Sequence, residues 1–361
     1  MSLTKCCDKL ICMNADTYQS RMFRSYTLKT REIQKMLPAF CSAFFRSIES
    51  TTTVLTRYAY AVDLLGFFRC LLEIPDLFTG RDLLSLVPDD LNSIKAIHID
   101  MYLEQVSLYY KDDREIVNKE RAKARKLSAI RSFLKYCYRH EMTATNVAAL
   151  IDAPKIRDKA IIRLEPNEVA NLLDMAESGT GLTDHQRQYH RYTRIRDVAI
   201  LTLFLGTGIR ISELVGIDMD DFDFENNEFV ITRKGGTEDI LVFSDEVRKA
   251  VLAYLAERAG IAAVAGHDKA LFLSAQRKRI TVRAVEYLVK KYASIATPLK
   301  KITPHKLRST YGTMLYQETG DIYLVADVLG HKDVNTTKKH YAAQSKDNRR
   351  IAAKSVKLRE D

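Results

Sequence analysis

Residues 152–166, DAPKIRDKAIIRLEP, decide how the chain is read. Two of its seven prolines stand here with Lys155, Arg157, Asp158, Lys159 and Arg163, between two helical patterns. Proline and charge clustered in this way punctuate a chain rather than pack inside it. The stretch predicts an exposed basic linker, and 361 residues suit two domains better than one. Towards the N-terminus, apolar periodicity predicts helices over 31–50, 53–72, 91–108 and 119–140, the last with Leu127, Ile130, Leu134 and Cys137 on one face. No strand-length alternation appears there, so this half predicts a small helical bundle. Towards the C-terminus, 166–176 and 196–205 read as helices, and Thr207-Gly208 stops the second with a residue suited to positive φ. Two β-prone runs, 228–233 and 239–243, flank Gly235-Gly236 and predict a hairpin with Lys234 at its tip. Helices resume at Asp245, Thr281, Thr303, Asp321 and Thr336. The expected fold class is mainly α, a helical domain followed by an α-rich domain with one small antiparallel sheet.

The composition, 46% hydrophobic and 28% charged, is that of ordinary globular protein and excludes long disorder and low-complexity repeats. The most apolar stretch, 198–205, is far short of the ~20 residues that cross a bilayer. With no signal-peptide pattern either, a cytoplasmic protein is expected. The six cysteines form no C-x-x-C pair, which predicts free thiols. A net charge of +10 points to a polyanionic partner, and it is shared equally between residues 1–150 and the rest, as suits a protein that grips nucleic acid from two sides.

Four stretches of the second half concentrate residues suited to phosphodiester chemistry. In Thr207-Gly208-Ile209-Arg210-Ile211-Ser212-Glu213-Leu214 a glycine turn presents Arg210 at a helix start, and Glu213, three residues on, can orient its guanidinium. Arg233-Lys234-Gly235-Gly236 puts a cation on the hairpin tip. Thr303-Pro304-His305-Lys306-Leu307-Arg308 opens a helix with a capping Thr and an N1 Pro, placing His305 and Arg308 on one face. From Asp321 an apolar stripe runs to Gly330 and His331, and Tyr341 follows ten residues later. Each alone fits a surface ion pair or a solvated face; their order together does not.

The set resembles the tyrosine recombinases, whose pattern is Arg, Lys, His-x-x-Arg, His or Trp, then Tyr. Arg210 lies in TGIRISEL, Lys234 in TRKGG, His305 and Arg308 in PHKLR, His331 in LGH, and Tyr341 at the family's interval. TRYAYAVDLLGFF and KARKLSAIRSFLKYCYR look like two DNA-facing helices of its SAM-like core-binding domain, and the wording of TRKGG and TPHKLR is similar to the Xer type, including its single-recombinase form. The resemblance implies an N-terminal segment 1–27, a core-binding domain 28–151, the linker 152–166, a catalytic domain 167–345 and a tail 346–361 that docks on a neighbouring protomer. It implies DNA with a paired recombination site as partner, a homo-tetramer on that DNA, and no cofactor. Candidate phosphate contacts are Arg57, Lys123, Arg125, Lys126, Arg131 and Lys135. Ser309 stands where the family often has His, and the polar stretch 178–194 is longer than usual between the first two catalytic-domain helices, so an extra loop is one reading of it.

The resemblance also sets the roles. A phenol with pKa ~10 is only about 0.1% ionised at pH 7, so Tyr341 must lose its proton as it attacks, and His305 is the candidate acceptor. Arg210, Arg308 and His331 can stabilise charge on the non-bridging oxygens. Lys234 is the family's general acid for the leaving 5′ oxygen, and the 3′-phosphotyrosyl product conserves the bond energy. The acidic run Asp218, Asp220, Asp221, Asp223 and Glu225 puts Asn226 and Thr232 where an EF-hand needs Gly and Glu, so it reads as strand and turn, not metal site. Two other readings stay open: a catalytically silent DNA-binding accessory protein of the same fold, and a type IB topoisomerase-like nicking-closing enzyme. The short stretch before the first helix suits a Xer-like or simple element-borne enzyme, leaving chromosome-dimer resolution and mobile-element integration or excision as roles.

Overall fold

The computed structural model describes residues 18–75, 77–156, 162–233, 236–331 and 334. The chain divides between residues 159 and 160 into two units, each with its own core.

In the first unit, α1 (Tyr18–Gln34), α2 (Cys41–Ser47), α3 (Val54–Glu73), α4 (Ala96–Gln105) and α5 (Glu120–Arg139) surround an aromatic centre. Thr53 starts α3 by accepting from the Thr56 amide at 3.2 Å. Phe133 of α5 meets Phe44 of α2 edge-on at 5.4 Å and Phe68 of α3 at 5.7 Å, while Phe67 meets Tyr102 of α4 at 5.3 Å. Such edge-to-face pairs add to the roughly 1.5–3 kcal/mol that burying each ring contributes. The expected α5 stripe, Leu127, Ile130, Leu134 and Cys137, is buried against them. Cys41, Cys70 and Cys137 are free and buried, and burial pushes the Cys137 thiol up to about 12. Asp63, wholly buried on α3, takes both Nη atoms of Arg125 and Lys126 Nζ at 3.3 Å, which ties α5 to α3.

Several boundaries differ from the sequence reading. The helix expected over 31–50 is broken, because Pro38 cannot donate to a preceding turn, and α1 reaches back to Tyr18, inside the segment set apart as 1–27. The helix expected over 91–108 is a short 3₁₀ turn, Pro88–Ser93, followed by α4. The helical bundle expected for this half also carries a hairpin that the sequence reading does not foresee, β1 (Leu108–Lys111) and β2 (Arg114–Val117), paired Leu108 with Val117 through Lys111 with Arg114. Asp112 and Asp113 both have positive φ, 49° and 57°, the backbone of a tight two-residue turn.

The second unit holds α6 (Pro166–Ser178), α7 (Asp184–Thr207), α8 (Ile211–Leu214), β3 (Phe222–Asp223), β4 (Glu228–Thr232), β5 (Glu238–Val242), α9 (Asp245–Arg258), α10 (Val282–Ala296), α11 (Pro304–Thr319) and α12 (Ile322–Val328). The antiparallel sheet runs β3-β4-β5, and β4 alternates Phe229 and Ile231 inward. The stretch 178–194 is not an added loop: Thr183 caps α7, exchanging bonds with Gln186 at 3.3 and 3.1 Å, and the helix continues unbroken to Thr207. Buried Asp197 joins α7 to α10, accepting from Tyr292 Oη and Lys291 Nζ, each at 2.9 Å, and from Arg196 Nη2 at 2.7 Å. In the acidic run, Asp218 pairs with Arg279, while Asp223 accepts the Glu225 and Asn226 amides at 2.8 and 3.1 Å. Burial raises the Asp221 carboxyl, which accepts the Asp218 amide at 2.7 Å. Among the described residues no helix is long and apolar enough to cross a membrane.

Candidate active site

The carboxyl end of α12 organises the site. Helix ends leave carbonyls without intrahelical donors, and the aligned peptides make that end electronegative. Gly330, at φ +57°, turns the chain there, and the His331 amide donates back to Ala326 O at 2.9 Å. Three arginines from three other elements meet the exposed carbonyls. Arg210 Nη2 donates to Gly330 O at 2.9 Å and Leu329 O at 3.2 Å. Arg308 Nη2 donates to Leu329 O, and its Nη1 donates to Gly208 O at 2.6 Å. Arg233 Nη2 donates to Val328 O at 3.1 Å.

Each arginine is delivered by a local device. Gly208, left-handed at φ +62°, ends α7 where a Cβ would lie 2.4 Å from the Tyr311 ring and 2.8 Å from Leu329, so only glycine lets α7, α11 and α12 approach this closely. Burial pushes the Tyr311 phenol above its ordinary range, and its ring lies beside Gly208 and packs on Val325 and Leu329. Arg210 then caps α8, its amide donating to Glu213 Oε2 at 2.9 Å and its Nη1 to Oε1 at 2.7 Å. Glu213 thus holds both the amide and the guanidinium of Arg210, and the carboxylate is itself buried. Arg210's side chain remains 31% exposed, which leaves it within reach of a ligand. His305 and Arg308 lie one turn apart on α11, whose Pro304 occupies N1; Thr303 holds the cap position, but its side chain makes no capping bond. Ser309 donates to His305 O at 3.0 Å.

The structure therefore brings Arg210, Glu213, Arg308 and the backbone of His331 together, with His305 on the same helix as Arg308. Lys234 and Tyr341 lie outside the described residues. The sequence motifs do not single out Arg233 as a site residue, although the β4 alternation that turns Phe229 and Ile231 inward puts residue 233 on the same face.

The candidate phosphate contacts fall into three groups. Lys135 is exposed on α5, and Lys123 is partly so. Arg125 and Lys126 are paired with Asp63. Arg57 and Arg131 correct the sequence reading. Arg57 is buried and donates to Glu49 O and Thr52 O, both at 2.8 Å, while Arg131 donates to Ala148 O at 3.2 Å and to Ile151 O. Both guanidinium groups serve as caps for carbonyls that would otherwise be unsatisfied.

This fold is that of the DNA-strand-exchanging tyrosine enzymes. The XerH site-specific recombinase bound to palindromic difH substrate aligns with a TM-score of 0.64 at 20% identity, over 84% of this chain and 80% of that one. A lambda integrase (75-356) dimer bound to a COC′ core site aligns at 0.59 and 16% identity, over 85% and 96%. The chain belongs to the phage integrase family: the family's model matches residues 162–348, and the "Tyrosine recombinase XerC" of Caldanaerobacter subterraneus subsp. tengcongensis is 32% identical over 343 residues, 90% of each chain. It is a tyrosine-type site-specific recombinase, an enzyme that breaks and rejoins DNA strands.

Proposed function

We propose that Tyr341 is the nucleophile and that Arg210, Lys234, His305, Arg308 and His331 carry out the reaction with it. The Tyr341 oxygen bonds to the scissile phosphorus while its proton passes to His305, and the bond to the 5′ oxygen breaks as Lys234 protonates that oxygen. Charge gathering on the two non-bridging oxygens is met by Arg210 and Arg308, with His331 as a further donor. The 3′-phosphotyrosyl intermediate exchanges one phosphodiester for another, so attack by a 5′ hydroxyl of the partner strand reverses the step without an outside energy source. The observation that carries this reading is the convergence of Arg210 and Arg308 on Leu329 O, two residues before His331.

The domains expected from sequence carry over into this reading: residues 28–151 bind the core DNA site, 152–166 link, 167–345 react, and 346–361 contact a neighbouring protomer. Likeness to the XerC relatives favours chromosome-dimer resolution at a paired site by a cytoplasmic homo-tetramer over mobile-element integration or excision.

The test incubates wild type and Tyr341→Phe with EDTA on nicked duplexes carrying candidate sites from flanking DNA, and reads a protease-sensitive shift on denaturing gels. Adduct from wild type alone is expected. Adduct from Tyr341→Phe moves the nucleophile elsewhere, and tight binding of both proteins without adduct favours the silent accessory protein.

A further inference from the structure

Arg233 has no task in the mechanism above, yet its side chain is only 9% exposed and reaches Glu213, Asp239 across the hairpin and the carboxyl end of α12. Its backbone closes the β4–β5 turn. The amide donates to Thr237 O at 2.7 Å and the carbonyl accepts from Gly236 N at 3.1 Å, with Lys234 next in the chain. Its guanidinium meets four partner residues at once. Nε donates to Asp239 Oδ2 at 2.8 Å across the hairpin, Nη2 donates to Val328 O at 3.1 Å, and Nη1 lies 3.5 Å from both Leu329 O and Glu213 Oε2. Gly330 makes room for this, since a Cβ there would sit 2.8 Å from Arg233 Cζ.

We propose that Arg233 is a positioning residue for the general acid: it fixes the base of the turn that carries Lys234 to the end of α12 that carries His331. The inference rests on the assignment of Lys234 as the acid. Burial keeps Arg233 itself off the DNA backbone, so its contribution comes through its neighbour. Lysine cannot replace it, because a single ammonium cannot hold Asp239 and the α12 carbonyls together.

Protonation of the leaving oxygen provides a selective readout. In an ordinary duplex the P–O5′ bond breaks as Lys234 delivers a proton; with a 5′-bridging phosphorothiolate the P–S bond breaks and the thiolate departs unprotonated. Full-length Arg233→Lys is compared with wild type and Lys234→Ala in single-turnover cleavage of suicide duplexes of both kinds, with DNA affinity and thermal melting as folding checks. Arg233→Lys is expected to lose about 10- to 100-fold on the oxygen substrate and no more than about 3-fold on the sulfur substrate. Asp239→Asn, at a side chain 44% exposed and so tolerant of change, loosens the same guanidinium and is expected to show the same selective loss, about 3- to 10-fold. Wild-type rates from both variants, or losses of equal factor on the two substrates, overturn the proposal. If sulfur fails to rescue Lys234→Ala, the acid assignment falls and the inference with it; if it rescues Lys234→Ala but neither of the other variants, the positioning role alone falls.

Discussion

At Gly330 a left-handed backbone, φ +57°, sits directly beneath the Arg233 guanidinium. A side chain there meets two separate obstacles. The left-handed conformation costs an L-residue about 1 kcal/mol, and a Cβ placed 2.8–3.1 Å from Cζ, Nε and Nη1 must push the guanidinium off the α12 carbonyls. Gly330→Ala is therefore expected to lower stability by about 1–2 kcal/mol while cutting the single-turnover cleavage rate by a larger factor, about 10-fold or more. Thermal melting and suicide-duplex cleavage measured on one preparation check this, and an unchanged rate would remove Gly330 from the site's frame. The roles of Arg57 and Arg131 are visible only at this scale as well. A basic residue on a DNA-facing helix reads as a phosphate contact until the carbonyls of a neighbouring turn are located, and those carbonyls come from backbone ends that a sequence does not place.

Among the elements, those with a strong apolar stripe and a clear cap were legible in sequence. Helices α3 and α5 lie within a residue of their expected bounds, and Asp245, Thr281 and Thr303 mark real helix starts. Two features were not legible, for different reasons. β1 and β2 are short and largely exposed, with no buried face to impose alternation, and their turn is made by Asp112-Asp113 rather than a glycine pair. The first half of α7 is polar around most of its circumference; buried His190, bonded to Ala176 O at 2.9 Å, anchors it, and that partner is a tertiary feature. The aromatic seam of the first unit carries a direct energetic expectation. Phe133 is wholly buried among Phe40, Phe44 and Phe68, so Phe133→Ala should destabilise this unit by about 3–5 kcal/mol. Urea unfolding followed by a probe in residues 18–151 measures it, and a loss under about 1 kcal/mol would mean the seam collapses onto the cavity.

Across the whole molecule the surplus of ten positive charges is an argument about DNA, but it does not say which charges touch it. The structure separates cations that face solvent from those used internally. Lys123 and Lys135 on α5 are open to solvent to different degrees, whereas Arg57 is enclosed. Replacing Lys123 or Lys135 by Ala should weaken binding to all sequences alike and flatten the dependence of log K on log salt by about 1 for each phosphate no longer neutralised. Arg57→Ala should lower stability and leave that slope unchanged. Affinity titrations between about 50 and 200 mM salt decide it, and an unchanged slope for both lysines would remove α5 from the DNA interface. The candidate site was legible in outline, since Arg210, Glu213, Arg308 and His331 all stand in recognisable motifs. Arg233 was not, because what defines it is the meeting of a hairpin with a helix end almost a hundred residues further along the chain.

Glu213 offers one carboxylate to two guanidinium groups, Arg210 at 2.7 Å and Arg233 at 3.5 Å. Positions 210, 213 and 233 therefore form a single energetic unit. Losing the carboxylate damages both arginines at once, so a later change at 233 removes less than it would alone, and the effects of substitutions within the trio fall short of their sum.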